Sequence, residues 1–195
     1  MAAAVSIDGR GGFESLLAAV RARSASCGAE RVRRALLERL GVGPRDRILE
    51  LGFGSGRLLF AVAARATQGF VAGVEPEAFA LRHAERRCER LVREGRVRLL
   101  RGTSADLSAF APQSFDQVYG VHVTYFWDDP LPHLFEIRRV LRPGGRLLLG
   151  YCPGEPAGAD PARFQPPALE ASLAAAGFTG IHTDAAGQPA WTAAH

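Results

Sequence analysis

The sequence predicts an α/β fold of the Rossmann-like, doubly wound kind, a seven-stranded, mostly parallel sheet with helices on both faces. Three observations predict it. Short apolar runs alternate with segments whose apolar residues repeat at helical spacing, the pattern that builds βαβ units. A glycine-rich loop, Gly52-Phe53-Gly54-Ser55-Gly56, separates the first such run from the helix after it. An acid, Glu75, ends the next run.

Apolar residues at 13, 16, 17 and 20 place a helix over Phe13–Arg23. A second, from about Glu30 to Leu40, carries Val32, Leu36, Leu37 and Leu40 on one side until Gly41 and Gly43-Pro44 stop it. Arg47–Leu51 reads as a short buried strand, followed by the glycine loop and a helix from Arg57 to about Thr67. The alternation continues with strand 70–75, helix 76–94, strand 96–100, a loop with one turn at 103–110, and strand 115–121. Helix 130–141 is expected to end at Arg142-Pro143-Gly144-Gly145, which turns into strand 146–151. The Pro/Gly-rich stretch 152–167 reads as a connection, and a helix at 167–176 and strands at 178–184 and 189–194 complete the chain.

A length of 195 residues, of which 47% are apolar, suits one domain. No run of about 18 uncharged apolar residues is present, so no membrane-spanning helix is expected. The first residues, MAAAVSIDGRGG, lack a basic leader and a long apolar stretch. Arg10, Arg21 and Arg23 among Ser and Ala have a presequence-like character that Asp8 and Glu14 oppose. The net charge is +4, yet every one of the 24 basic residues is Arg, and they are interleaved with acids, as in Arg82, Glu85, Arg86, Arg87, Glu89 and Arg90. Such runs form solvated helix faces, so no nucleic-acid partner is expected. Cys27, Cys88 and Cys152 are far apart, and neither they nor the five histidines have a metal-ligand spacing. Reduced thiols in a cytoplasm and no metal are the expectation.

Three glycines at i, i+2 and i+4 let the backbone turn sharply and let a ligand approach the main chain. With Glu75 placed 19 residues after Gly56 to accept ribose hydroxyls, they indicate an adenosine site. The dinucleotide fingerprint needs Gly-x-Gly-x-x-Gly, and here Arg57 holds the sixth position, which counts against a nicotinamide-dependent oxidoreductase. Glu50 is an acid inside an apolar strand and needs a partner: the ammonium of a cationic ligand, or an arginine of this chain. Glu75 has a second possible role, capping the helix that follows Pro76.

Ile48-Leu49-Glu50-Leu51-Gly52-Phe53-Gly54-Ser55-Gly56 resembles motif I of the class I S-adenosylmethionine (SAM)-dependent methyltransferases. Ser114-Phe115-Asp116-Gln117-Val118-Tyr119 resembles the fourth strand of that family. Ile137 to Leu149, through Arg142-Pro143-Gly144-Gly145, resembles its next helix, turn and fifth strand. The resemblance covers about 45–195, and it is nearest to the small-molecule enzymes of the ubiquinone/menaquinone-biosynthesis type, methyltransferase type 11.

It implies that Glu50, Gly52, Phe53, Gly54 and Gly56 serve the methionine part of SAM, Glu75 and Pro76 the ribose, and the loop Gly102-Thr103-Ser104-Ala105-Asp106 the adenine. Thr103 stands where the family's commonest form has Asp, and its hydroxyl can accept the same bond. Gly120-Val121-His122 then passes the sulfonium. Residues 1–44 are expected as N-terminal helices over the active site and 45–195 as the catalytic domain, with loops 122–129 and 152–165 also covering the acceptor.

For a hydroxyl acceptor, His122 is the candidate base, or else it lines the cofactor cavity. Tyr125, Phe126 and Trp127 are suited either to enclosing an apolar or planar acceptor, with Tyr125 and Trp127 as its contacts, or to core packing. His133, on a helix, reads as surface. The implied activity is methyl transfer from SAM to a small molecule, by oxygen, nitrogen or carbon methylation. A SAM-binding accessory or regulatory protein without transfer is the alternative from another class.

Overall fold

In a computed structural model, residues 28–151, 166–186 and 190–195 are described. The expected helix over 13–23 and the connection 152–165 lie outside them. Among the described residues, the helices are α1 (Ala29–Leu40), α2 (Arg57–Ala63), α3 (Ala78–Arg93), α4 (Pro130–Val140) and α5 (Pro166–Ala175). The strands are β1 (Arg47–Leu51), β2 (Phe70–Glu75), β3 (Val97–Arg101), β4 (Phe115–Val121), β5 (Leu141–Tyr151), β6 (His182–Asp184) and β7 (Ala190–Ala194). No helix among the described residues is long and apolar enough to cross a membrane.

The sheet runs β3-β2-β1-β4-β5-β7-β6. Strands β1 to β5 pair in parallel, and β7 is antiparallel to both of its neighbours. Alternate strand residues feed two cores. Ile48, Val71, Tyr119 and Leu148 pack against α1, α2 and α3 on one face. Leu49, Val74, Val118 and Leu149 pack against α4, α5 and the segment around Leu107 and Phe110 on the other. The strand order reverses between β1 and β4, so their C-terminal ends open a crevice at the topological switch point.

Four boundaries differ from the expectation by two residues or more. Helix α2 ends at Ala63, because the next residues turn to tie Gln68 N–H to Pro44 O (2.7 Å) and Phe70 N–H to Asp46 O (3.1 Å), which starts β2 beside β1. Helix α3 begins at Ala78, two residues after the expected start.

Leu141 leaves α4 in extended geometry and already pairs with Phe115. The Arg142-Pro143-Gly144-Gly145 turn is then a bulge inside β5, after which Gln117 pairs with Arg146. Gly144 takes φ +74°, Arg142 pairs with Asp116, and a Cβ on Gly145 would meet Asp116 O at 3.1 Å. In the expected strand 178–184, only 182–184 are strand. Gly180 breaks the run at φ +56°, although Thr179 still exchanges both backbone hydrogen bonds with His195.

The inward side of α1 is as expected, with Val32, Leu36, Leu37 and Leu40 all buried. They bury against the α2/α3 face of the sheet.

Candidate active site

The crevice at the switch point is a cavity of about 350 Å³. Of the residues proposed from sequence, Gly52, Gly54, Glu75, Pro76, Thr103, Ser104, Val121, His122 and Trp127 border it, together with Phe126 and His133. Residues 1–44 contribute no described residue to its wall.

The three loop glycines all have positive φ, but for different purposes. Gly52 (φ +63°) donates to Val74 O at 2.8 Å, and a Cβ there would lie 2.6 Å from Val123 Cγ1. Gly56 (φ +73°) lets α3 approach, since a Cβ would meet the Ala84 Cβ at 2.8 Å and its backbone Cα at 3.1 Å. Gly54 (φ +53°) has no atom within 4 Å of where a Cβ would stand, so its backbone forms a bare edge of the cavity. Glu75, buried at the end of β2, holds that edge: one carboxylate oxygen accepts from Gly54 N–H (2.8 Å) and the other from Glu77 N–H (3.0 Å). Each oxygen keeps a second lone pair for a ligand hydroxyl. The loop-tethering role and the ribose-holding role are therefore compatible.

Glu50, Phe53, Gly56 and Tyr125 do not border the cavity. The ring of Phe53 turns inward and lies over Gly73, where a Cβ would come within 2.5 Å of it. The Phe53 side chain therefore packs in the core. Tyr125, only 2% exposed in the short 3-10 turn Thr124–Phe126, likewise belongs to the core, and Phe126 takes the wall position instead. Adjacent aromatics cannot all face one cavity.

Within the chain the partner of Glu50 is not an arginine: the Tyr119 hydroxyl donates to it at 2.7 Å. Burial pushes the Glu50 carboxyl up to about 8, against the opposing effect of that hydrogen bond. Burial thereby suppresses its charge. Burial also raises the Tyr119 phenol well above its ordinary value, and the nearby Glu50 adds to that.

His122 follows β4 with φ +61° and is buried. Its backbone N–H donates to Gly150 O at 2.8 Å, and its ring stacks on Tyr125 at 6.0 Å between centroids. Left-handed geometry at a non-glycine residue costs about 1 kcal/mol or more and is held here by the flanking strands.

His133 corrects the surface assignment. It is half-buried on α4 and stacks on Trp127 (4.9 Å, 17° between planes), and its Nδ1 is 2.8 Å from Ser104 Oγ. Ser104 Oγ in turn accepts from Trp127 Nε1–H at 3.1 Å. Burial lowers the His133 pKa against the pull of Asp129 and Asp128, which favours neutral imidazole. The sequence held a signal for this, since His133 lies four and seven residues before Ile137 and Val140, the buried stripe of α4. One turn along, Arg139 pairs through two nitrogens with Glu136 and donates to Leu107 O (2.9 Å) and Phe110 O (3.0 Å). Glu136 accepts from Leu107 N–H at 2.9 Å. The Thr103–Phe110 segment is clamped to α4 in this way.

A doubly wound sheet, a bare glycine edge and a ribose-competent carboxylate at the switch point define a class I SAM-dependent methyltransferase scaffold, and these residues fit SAM as its cofactor. Residues 49–149 match the protein family described as Methyltransferase domain (Methyltransf_11), and the chain belongs to that family.

The O-methyltransferase rstn1 of Aspergillus nomiae is 33% identical over 120 residues, which are 62% of this chain and 52% of that protein. Among solved structures, a SAM-dependent methyltransferase from Aquifex aeolicus superimposes with TM-score 0.67 at 16% identity, covering 83% of this chain and 87% of that one. The PH0226 protein from Pyrococcus horikoshii gives TM-score 0.68 at 19% identity and 90% of both chains. The chain spans about half the length of several curated relatives that it matches.

Proposed function

We propose that the protein transfers the methyl group of SAM to an oxygen of a small-molecule acceptor. The observation that carries this reading is the convergence of the bare Gly54 edge, the Glu75 carboxylate and the buried His122 on one cavity at the ends of β1, β2 and β4. Oxygen is favoured as the acceptor atom by four relatives, 28–33% identical, whose names are O-methyltransferases.

When bound, SAM supplies a methyl group already activated by its sulfonium charge, so positioning supplies much of the catalysis. The chain's contribution is to hold the ribose hydroxyls on Glu75 and to line the methyl side with Val121 and His122. Phe126 and Trp127 add apolar wall to the cavity. His122 would take the proton of an acceptor hydroxyl held beside the methyl group. A cytoplasmic setting accompanies this reading and is consistent with Cys88, a buried free thiol.

Calorimetric titration with SAM, S-adenosylhomocysteine (SAH) and NAD tests the reading. Micromolar binding of both sulfur ligands without NAD is expected, followed by methylated product from a panel of phenols and alcohols. NAD binding alone, or no binding of any of the three, overturns it.

A further inference from the structure

The chain Trp127–Ser104–His133 has a direction that can be deduced from its donors and acceptors. Trp127 Nε1–H can only donate, so Ser104 Oγ accepts from it. Ser104 is 7% exposed, and among the described residues its oxygen makes one other hydrogen bond, to His133 Nδ1. Were Nδ1 protonated, Ser104 would accept twice and its own hydroxyl proton would be left buried without an acceptor, which costs about 1–3 kcal/mol. Donation from Ser104 to Nδ1 satisfies the hydroxyl, Nδ1 and the indole N–H. It requires a neutral ring with its proton on Nε2, in keeping with the burial-lowered pKa of His133. Stacking on Trp127 fixes the ring plane. His133 borders the cavity, and with Nδ1 occupied its other ring nitrogen is an obligate donor, Nε2–H.

We infer that His133 is a specificity-determining residue of the cofactor site, presented by Ser104 and Trp127 so that Nε2–H donates to a ring nitrogen of the adenine. This rests on the proposed function and on the placement of the adenine at Gly102, Thr103 and Ser104 that the family resemblance implies; all three border the same cavity as Glu75. A neutral donor fixed in this way suits a purine nitrogen, which accepts. It is unsuited to act as base, because the only lone pair on the ring is held by the Ser104 hydroxyl.

Two measurements test the inference. In the ligand-free protein, 15N NMR of the imidazole should show the Nε2–H tautomer for His133. The Nδ1–H tautomer or a charged ring at neutral pH overturns the direction of the chain, whether or not SAM binds.

The second measurement compares SAH with its 1-deaza, 3-deaza and 7-deaza analogues by calorimetry on wild type and H133F, which keeps the stack on Trp127. Replacement should weaken SAH by about five- to tenfold, and the penalty for one analogue should disappear in H133F. His133→Gln, which restores a donor, should recover part of the affinity. Equal penalties in both proteins for all three analogues overturn the inference and leave the proposed function standing. A wild type that binds no SAH overturns both. Should H133F fail to fold, Ser104→Ala decides: it should abolish the single-tautomer signal of His133, and an unchanged signal overturns the inference.

Discussion

Gly54 and Gly56 are two residues apart and both left-handed, yet a methyl group would meet different obstacles at each. At Gly54 it enters the cavity, and at Gly56 it strikes the backbone of Ala84. Gly54→Ala should therefore weaken SAM binding at least tenfold while lowering the melting temperature by a few degrees at most, the strain of φ +53° being about 1 kcal/mol. Gly56→Ala should instead destabilise by about 2–4 kcal/mol, as overpacking adds to the same strain. Thermal melts and titrations on the two variants separate these effects, and the same loss pattern in both would refute the division of labour. At His122 the useful replacement is Asn, which tolerates left-handed geometry. His122→Asn should leave SAM affinity within about twofold and cut kcat about a hundredfold, the lower end of general-base contributions. Unchanged turnover removes His122 as the base.

Helix α4 is the element that joins the two halves of the site. Asp129 caps it by accepting from Leu131 N–H (3.0 Å), Pro130 starts it, and its buried stripe brings His133 to the cavity one turn before the Glu136–Arg139 clamp. Replacing Arg139 with Met keeps most of the side-chain volume but removes the bonds to Leu107 O and Phe110 O. It should cost about 2 kcal/mol of stability, read as denaturant midpoint, and weaken SAM by about threefold through loosening of the Thr103–Phe110 segment. Intact affinity would show that the segment holds its shape without α4. Much of this element was legible in sequence. Its length and stop follow from the Pro130 start and the Arg142-Pro143-Gly144-Gly145 turn. The continuation of β5 into that turn was not, because the Leu141–Phe115 pairing is a bond between segments 26 residues apart in sequence.

For the molecule as a whole, the buried Glu50 dominates the expected pH response. Its folded pKa of about 8 lies above the ordinary 4.5, so between these values the folded state binds more protons than the unfolded one. Stability from this group is complete below about pH 4.5, falls as pH rises, and levels off above about pH 8. Glu50→Gln keeps an acceptor for the Tyr119 hydroxyl and removes the charge. It should stay close to wild type near pH 5 and melt about 10 °C higher at pH 9, whereas parallel curves for the two proteins from pH 5 to 9 would refute the assignment. That Glu50 is buried follows from its place in an apolar strand. That its partner is Tyr119, from the neighbouring strand β4, does not, because parallel register is set by packing between distant segments. The sequence by itself determined the sheet, the order of its units, the glycine loop and Glu75, because periodicity, turn chemistry and motif spacing are local properties of the chain. Only the tertiary structure decided which aromatic faces the cavity, that Phe53 and Tyr125 turn into the core, and that His133 joins Ser104 and Trp127. Those outcomes depend on which side chains of separate strands and helices compete for the same buried space.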